Sequence, residues 1–356
     1  LKLTLVMHWP MRWLAALVVL WAGQVCGPVS PRYVVPPRFD AFREANASRV
    51  FFEEHGFAVF RAASAEDVSN AWTLFWDYIE SLGTGVDRAD PTTWTEQRWP
   101  SVRTDTGLLT FFGIGQSDFL WYLRGLPQVK AAFAQLWQTK DLLVSFDGAA
   151  AFRFQDPYLH VSEGYWWHVD QNPRSQPMFD CVQGVLQLTA TSPQLGGLVL
   201  VPGSHKLYPT FYEQRYGDLL DMTNPDHLHF GVPYWDPAFH EHLAAEAWQP
   251  HLEAGDLVVW NSTTIHCNFV GIEFLAPHGR NRTSRALGRL AAYVAMSPRA
   301  KASTEVLRQR KAAIREGKTT THWPHRFVES ELHNAGLWEA LGEAYRQRFR
   351  APKWPA

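Results

Sequence analysis

The chain is 356 residues long, with 33 Lys and Arg against 35 Asp and Glu and a formal net charge of −2. A chain of this length can bury a large core, as one elaborated domain or two small ones. The even charge balance, with no long run of either sign, argues against a nucleic-acid track or an anionic membrane surface as partner. The 17 Trp and 22 Phe supply buried area and, in part, the walls of a concave ligand pocket.

Position 1 is Leu, and the first methionines are Met7 and Met11. Arg12, the apolar run Trp13 to Ala22 and the small residues after it fit a signal peptide. An apolar extension upstream of the real protein fits equally, and the run is short for a membrane span, which needs about 20 residues. Residues 1–30 are therefore set apart as signal-like or spurious, and 31–356 are expected to form a single domain. Compartment and oligomeric state stay open. Three cysteines, Cys26, Cys181 and Cys267, make no disulfide framework; the last two sit in apolar stretches and read as small buried hydrophobes.

Arg38 to His55 and Ala65 to Ser81 carry apolar residues at helical spacing, with Gly56 to Phe60 between them as a short strand. Ser64-Ala65-Glu66-Asp67 is a capped start for the second helix, and Gly83 is its stop. Asp87 to Thr106 reads as an irregular loop and Phe119 to Trp137 as a further helix. From Leu142 the period changes. Leu142 to Phe146, Ala150 to Phe154, the stretch around His168, Val182 to Thr189, Gly197 to Val201, Asp256 to Trp260 and Leu290 to Val294 read as strands. Helices return at Thr304 to Arg315 and Glu329 to Arg348. Short strands without a helix after each predict an antiparallel sandwich or jelly roll rather than a parallel sheet. The expected fold is α+β, a double-stranded β-helix (jelly-roll, cupin-like) over about 140–300 with flanking N- and C-terminal helices. The long aromatic segment from Lys206 to Leu252 is either a lid over a pocket or helical packing outside the barrel.

Tyr165-Trp166-Trp167-His168-Val169-Asp170 reads as a strand, on which His168 and Asp170 project to one side. A histidine nitrogen and a carboxylate oxygen so placed can take two positions on one metal ion. His-x-acid is a weak signal alone, and His251-Leu252-Glu253 offers a second instance. What separates them is a partner: after the turn and buried strand of Gly255 to Trp260 comes His266, whereas the second pair has no matching later histidine. Two imidazoles and a carboxylate on one face leave three coordination positions open for a co-substrate and O2, as in non-haem Fe(II) oxygenases. The far carboxylate of an oxoacid would need a bidentate cation, and Arg289, at the start of the strand Leu290 to Val294, is placed for it.

His168-Val169-Asp170-Gln171, Val182-Gln183-Gly184, Gly196-Gly197 through Pro202-Gly203-Ser204-His205, Gly255-Asp256-Leu257, His266 and Arg289-Leu290-Ala291 occur in that order. The set resembles the phytanoyl-CoA dioxygenase (PhyH) family of Fe(II)- and 2-oxoglutarate-dependent oxygenases, over roughly residues 140–300. The resemblance implies His168, Asp170 and His266 as iron ligands, Arg289 as the clamp on 2-oxoglutarate and Asn268 as a co-substrate contact. Gln183 and Gln187, on a strand facing the same cavity, are further candidates for that contact. O2 is the other co-substrate, and hydroxylation of a small organic or lipid-like substrate is the reaction, since the family's halogenases lack the carboxylate that Asp170 supplies. One departure is a long gap between His266 and Arg289. It holds Arg280, Arg282 and Arg285 as alternative clamps, and strand context favours Arg289.

The expected partner is a small molecule, with no nucleic acid and no stable membrane span. The alternative is a jelly-roll binding protein without turnover, which a missing ligand would signal. His227, His229, His240 and His242 read as solvated surface, Trp166 as a wall of the site and Trp167 as core.

Overall fold

The computed structural model describes residues 31–100, 107–110, 112–154, 165–222, 229–233, 236–271 and 287–329. Its strands are β1 (Arg32–Val34), β2 (Arg38–Phe39), β3 (Phe57–Arg61), β4 (Leu108–Leu109), β5 (Leu142–Val144), β6 (Ala149–Arg153) and β7 (His168–Val169). They continue with β8 (Val182–Gln187), β9 (Gly197–Leu200), β10 (Phe230–Gly231), β11 (Trp248–Pro250), β12 (Asp256–Asn261), β13 (His266–Phe269) and β14 (Leu287–Pro298). The helices are α1 (Ala45–His55), α2 (Ala65–Ser81), α3 (Asp118–Gly125), α4 (Pro127–Trp137), α5 (Thr210–Met222), α6 (Pro237–Glu246) and α7 (Thr304–Glu316).

Six strands form one sheet in the order β1-β11-β9-β13-β7-β10, and eight form the other, β2-β3-β12-β8-β14-β6-β4 with β5 on β14. Apart from the parallel pairs β1·β11 and β2·β3, the ladders are antiparallel. The sheets face each other without closing. Alternation along the strands sorts side chains between two sides. On the eight-stranded sheet, Leu186, Leu257, Val259, Leu290, Ala292 and Val294 point outward and bury under the apolar faces of α2, α3 and α4. Their neighbours Val185, Val258, Trp260 and Ala291 point inward, meeting Leu198 and Leu200 of the other sheet.

Local chemistry explains where the elements stop. At α2 the Ser64 hydroxyl accepts from Asp67 N while the Asp67 carboxylate accepts from Ser64 N, a reciprocal cap. The region read as one helix over 119–137 is two, α3 and α4. Pro127 has no N–H to donate and forces Leu126 to an extended ψ of 132°, while suiting the first turn of α4. α1 is shorter than its periodic pattern because Arg38–Phe39 pairs with β3 instead. Gly255 has φ +98°, and a Cβ there would lie 2.3 Å from the Ala63 carbonyl oxygen, so only glycine makes the turn into β12. At Gly196 a Cβ would lie 2.1 Å from the Phe269 carbonyl oxygen, which is why β9 and β13 can meet so closely.

The aromatic segment after Lys206 is packing, not a lid, over its described residues. Tyr212, Tyr216, Leu220, Phe239 and Leu243 from α5 and α6 bury with Val169, Val199 and Cys267 on the outer side of the six-stranded sheet. The apolar run within residues 1–30 and the helix expected over Glu329 to Arg348 lie outside the described residues, apart from Glu329 itself. No described helix is long and apolar enough to cross a membrane.

Candidate active site

Between the sheets lies a cavity of about 450 Å3. β7 and β13 bring two histidines face to face: His168 and His266 are register partners, with ring centroids 4.3 Å apart. Asp170 follows β7, held by its N–H to the Ser262 carbonyl at 2.8 Å. Its Oδ2 lies 3.0 Å from His266 Nε2 and its Oδ1 3.6 Å from His168 Nε2. One donor atom from each of the three residues falls within 4.8 Å of the others, and among the described residues no other His, Cys, Asp or Glu group of three does so.

The chemistry of the set fits a divalent transition metal. His168 Nδ1 lies 3.0 Å from the Trp166 carbonyl oxygen and His266 Nδ1 2.9 Å from that of Thr264. A carbonyl only accepts, so each Nδ1 carries the proton and each Nε2 offers a lone pair to the cavity. Burial, reinforced by His266 and opposed by Asp170, pushes His168 down to about 4, so it is neutral at neutral pH, the form in which an imidazole can bind a metal. Burial alone would raise the Asp170 carboxyl. The two facing imidazoles outweigh it and hold Asp170 well below its usual range, so it is ionised at neutral pH.

Other side chains fix these three. Gln183 Nε2 donates to Asp170 Oδ2 at 2.6 Å, so this amide, expected on the co-substrate, sits on the carboxylate ligand. Trp166 stacks on the His168 ring at 4.4 Å and 9° and lines the cavity, while Trp167 is buried behind the sheet. Cys267 points away from the cavity into the outer cluster, and Cys181 packs with Ala295 and Trp323; burial raises both thiols well above their ordinary value.

Arg289 enters from β14. It is 2% exposed, its guanidinium lies over the Phe152 ring at 3.9 Å, and it donates to Asn268 Oδ1 at 2.7 Å and the Phe269 carbonyl at 3.0 Å. Asn268 thus steadies the arginine. Gln187 lines the cavity between the two ends, and its buried Oε1 has no hydrogen-bond partner. Trp260 Nε1 and His322 Nε2, also on lining residues, are likewise buried without partners. Among the described residues these polar atoms are free to meet a polar group in the cavity, and an amide turned over would present its N–H instead. Arg280, Arg282 and Arg285 lie outside the described residues.

Several lining residues were not anticipated, among them Tyr293, Trp260, Asp147 and His322. Tyr293 and Trp260 share the inward face with Arg289 and Val258, so alternation along β14 and β12 contained them. Asp147 sits in the turn before β6, its carboxyl raised by burial, and His322 follows α7; no local pattern marks either. Elsewhere the decoy residues are accounted for. His251 meets the Tyr33 hydroxyl and Glu253 pairs with Arg38 at 2.9 Å. His229 and His242 are exposed, His240 Nε2 lies 3.2 Å from the Pro233 carbonyl oxygen, and His227 is outside the described residues.

The profile of the phytanoyl-CoA dioxygenase (PhyH) family matches residues 147–267. The Ava biosynthesis cluster protein O of Aspergillus versicolor is 32% identical over 267 residues, covering 72% of this chain and 79% of that protein. A Dictyostelium discoideum protein, provisionally named phytanoyl-CoA dioxygenase, is 23% identical over 305 residues, covering 74% of this chain and 79% of its own. Among solved structures, hypothetical protein JW0805 from Escherichia coli aligns with a TM-score of 0.52 at 17% identity, over 89% of this chain and 86% of that one, a likeness of fold.

Proposed function

The chain belongs to the phytanoyl-CoA dioxygenase family, enzymes of the dioxygenase type that use iron and 2-oxoglutarate, and from that premise we propose that it hydroxylates a small organic or lipid-like substrate, with succinate and CO2 as co-products. We read the two facing sheets as a double-stranded β-helix, and His168, Asp170 and His266 as the iron ligands. The observation that carries this reading is the convergence of those three buried donors in one cavity that also holds a buried arginine. When bound there, ferrous iron supplies the oxygen chemistry that couples decarboxylation of the 2-oxoacid to oxidation of a C–H bond.

The rest is done by the chain. Both histidines turn Nε2 toward the metal position, because their Nδ1 protons are committed to backbone carbonyls. Gln183 restrains Asp170, so the carboxylate meets the metal in one orientation. Arg289 would take the far carboxylate of 2-oxoglutarate through its planar fork, held in plane by Phe152 below and Asn268 beside it. Gln187, Trp260 and His322 hold unsatisfied polar atoms for the co-substrate or substrate. Leu108, Ala150, Val185, Leu198 and Val270 supply an apolar wall suited to the substrate's hydrocarbon. Trp166 shields one face of His168 from water.

The test is succinate formation from 2-oxoglutarate under air, with and without Fe(II), in wild type, His168→Ala and Arg289→Ala. Iron-dependent succinate that vanishes in His168→Ala and weakens in Arg289→Ala is expected. No succinate, with no Fe(II) or 2-oxoglutarate binding by calorimetry, would overturn the reading and leave a binding protein.

A further inference from the structure

On the far side of the eight-stranded sheet's β5 edge, α3, α4 and α7 enclose a second hollow of about 670 Å3. Its lining is unusual in charge. Arg124, Lys130, Lys140, Arg299, Arg310 and Lys311 contribute to it, and no Asp or Glu does. Arg299 is partly offset by Asp141 just outside, at 2.9 Å. Between the cations the walls are apolar, with Trp121, Ala134, Leu142, Phe146, Leu307 and Ile314.

The two arginines at the floor set the chemistry. Arg124 is 2% exposed and Arg310 7% exposed. Arg124 donates to the carbonyls of Gly115 and Asp147, and Arg310 to those of Pro324 and Val144 while lying 4.3 Å over the Phe146 ring. Neither has a carboxylate within ion-pairing distance among the described residues, and Arg124 Nε is buried with no hydrogen-bond partner. Burial works against the charge of each; at Arg124 the neighbouring Asp147 carboxyl offsets part of this and the Arg310 charge adds repulsion, while among the described residues no carboxylate offsets Arg310. Buried charge is ordinarily paired, because taking an ion out of water without a counter-ion is costly. Carbonyl dipoles tie these guanidiniums to the backbone but do not neutralise them. Four further cations around the hollow attract the same sign of ligand, while its apolar walls reward a hydrocarbon chain.

We propose that this hollow binds a single-chain anionic amphiphile, such as a long-chain phosphate monoester or carboxylate, with its head at the Arg124–Arg310 floor and its chain along the apolar wall. The site is separate from the cavity of His168, Asp170 and His266 and does not depend on the function proposed above. It touches that cavity at one point: the carbonyl of Asp147 accepts from Arg124, and Asp147 lines the cavity of the two histidines.

The experiment is calorimetric titration of the full-length chain with dodecyl phosphate below its micelle concentration. Inorganic phosphate and dodecyltrimethylammonium serve as probes of head alone and of reversed sign. Dodecyl phosphate should bind at least tenfold more tightly than either. Ala134→Trp, which fills the hollow, and the double variant Lys130→Glu/Lys311→Glu, which reverses its exposed charge, should each weaken binding tenfold or more while leaving Co(II) binding at His168 and His266 unchanged. Arg124→Gln is informative only where it folds, and the surface variants keep the proposal testable where it does not. Equal binding of the cationic detergent, or affinity unaltered in Ala134→Trp but lost in Arg289→Ala, would overturn it. The second result would put the amphiphile in the cavity of His168, Asp170 and His266.

Discussion

The chain contains two His-x-acid tripeptides, and only one of them comes together as a metal-like site. His168 and Asp170 are enclosed between two sheets, opposite His266, with their outer atoms tied to the backbone and to Gln183. His251 and Glu253 have the same spacing, follow β11 directly, and end on the exposed Tyr33 hydroxyl and the largely buried Arg38. The tripeptide therefore specifies little. What sets the first pair apart is the strand laid across from it: β13 pairs with β7 so that His266 stands opposite His168, and among the described residues no histidine faces His251 in that way.

Mutations that break one member of the comparison should leave the other intact. Asp170→Ala removes the only carboxylate of the group and should cut Fe(II) affinity and succinate formation by at least about 100-fold. Glu253→Ala, measured in parallel, should change neither. Next in size is Arg289→Ala. Losing one partner of a buried charge pair costs about 2–5 kcal/mol, so the KM for 2-oxoglutarate should rise by about 30-fold or more. Arg289→Lys should fail to restore it, since an ammonium lacks the fork. Gln183→Leu leaves all three ligands and should weaken metal binding by about 10- to 100-fold, the range for groups that orient a ligand; titration with Co(II) would measure it.

The acid limb of stability offers a finer contrast. Because His168 titrates near 4 when folded and near 6.5 when unfolded, the unfolded chain binds more protons between those values. The metal-free protein should therefore gain stability as pH rises from 4 to 6.5, and His168→Ala should flatten that slope in denaturant melts. Smallest of all, His251→Ala should shift stability by no more than about 1 kcal/mol, with turnover unaltered.

Much of this architecture was legible in the residues. Alternation marked the long strands β8, β12 and β14, whose inward positions carry Gln183, Trp260 and Arg289. The Ser64 cap and the Gly255 turn were visible because each rests on chemistry local to a few residues. The division of one helix into α3 and α4 was visible only in hindsight: the apolar stripe continues across Pro127, and periodicity outweighed the proline. The roles of Gln183 and Asn268 could not be read, because which amide turns to a carboxylate and which to an arginine depends on the opposing sheet. His322 was invisible for the same reason. It arrives from a segment after α7 and shares no period with the strands it meets.

The two-residue strand β10 has a role out of proportion to its length. β7 stands next to last in its sheet, and Phe230–Gly231 covers the side of β7 that would otherwise be an open row of backbone donors and acceptors. An uncovered edge is a template for another chain, and short covering strands are one way proteins blunt it. The segment after Lys206 therefore covers the outer edge of β7 as well as packing behind the sheet that carries His168 and His266. A version of the chain with that excursion trimmed away would expose its most functionally charged strand to self-association.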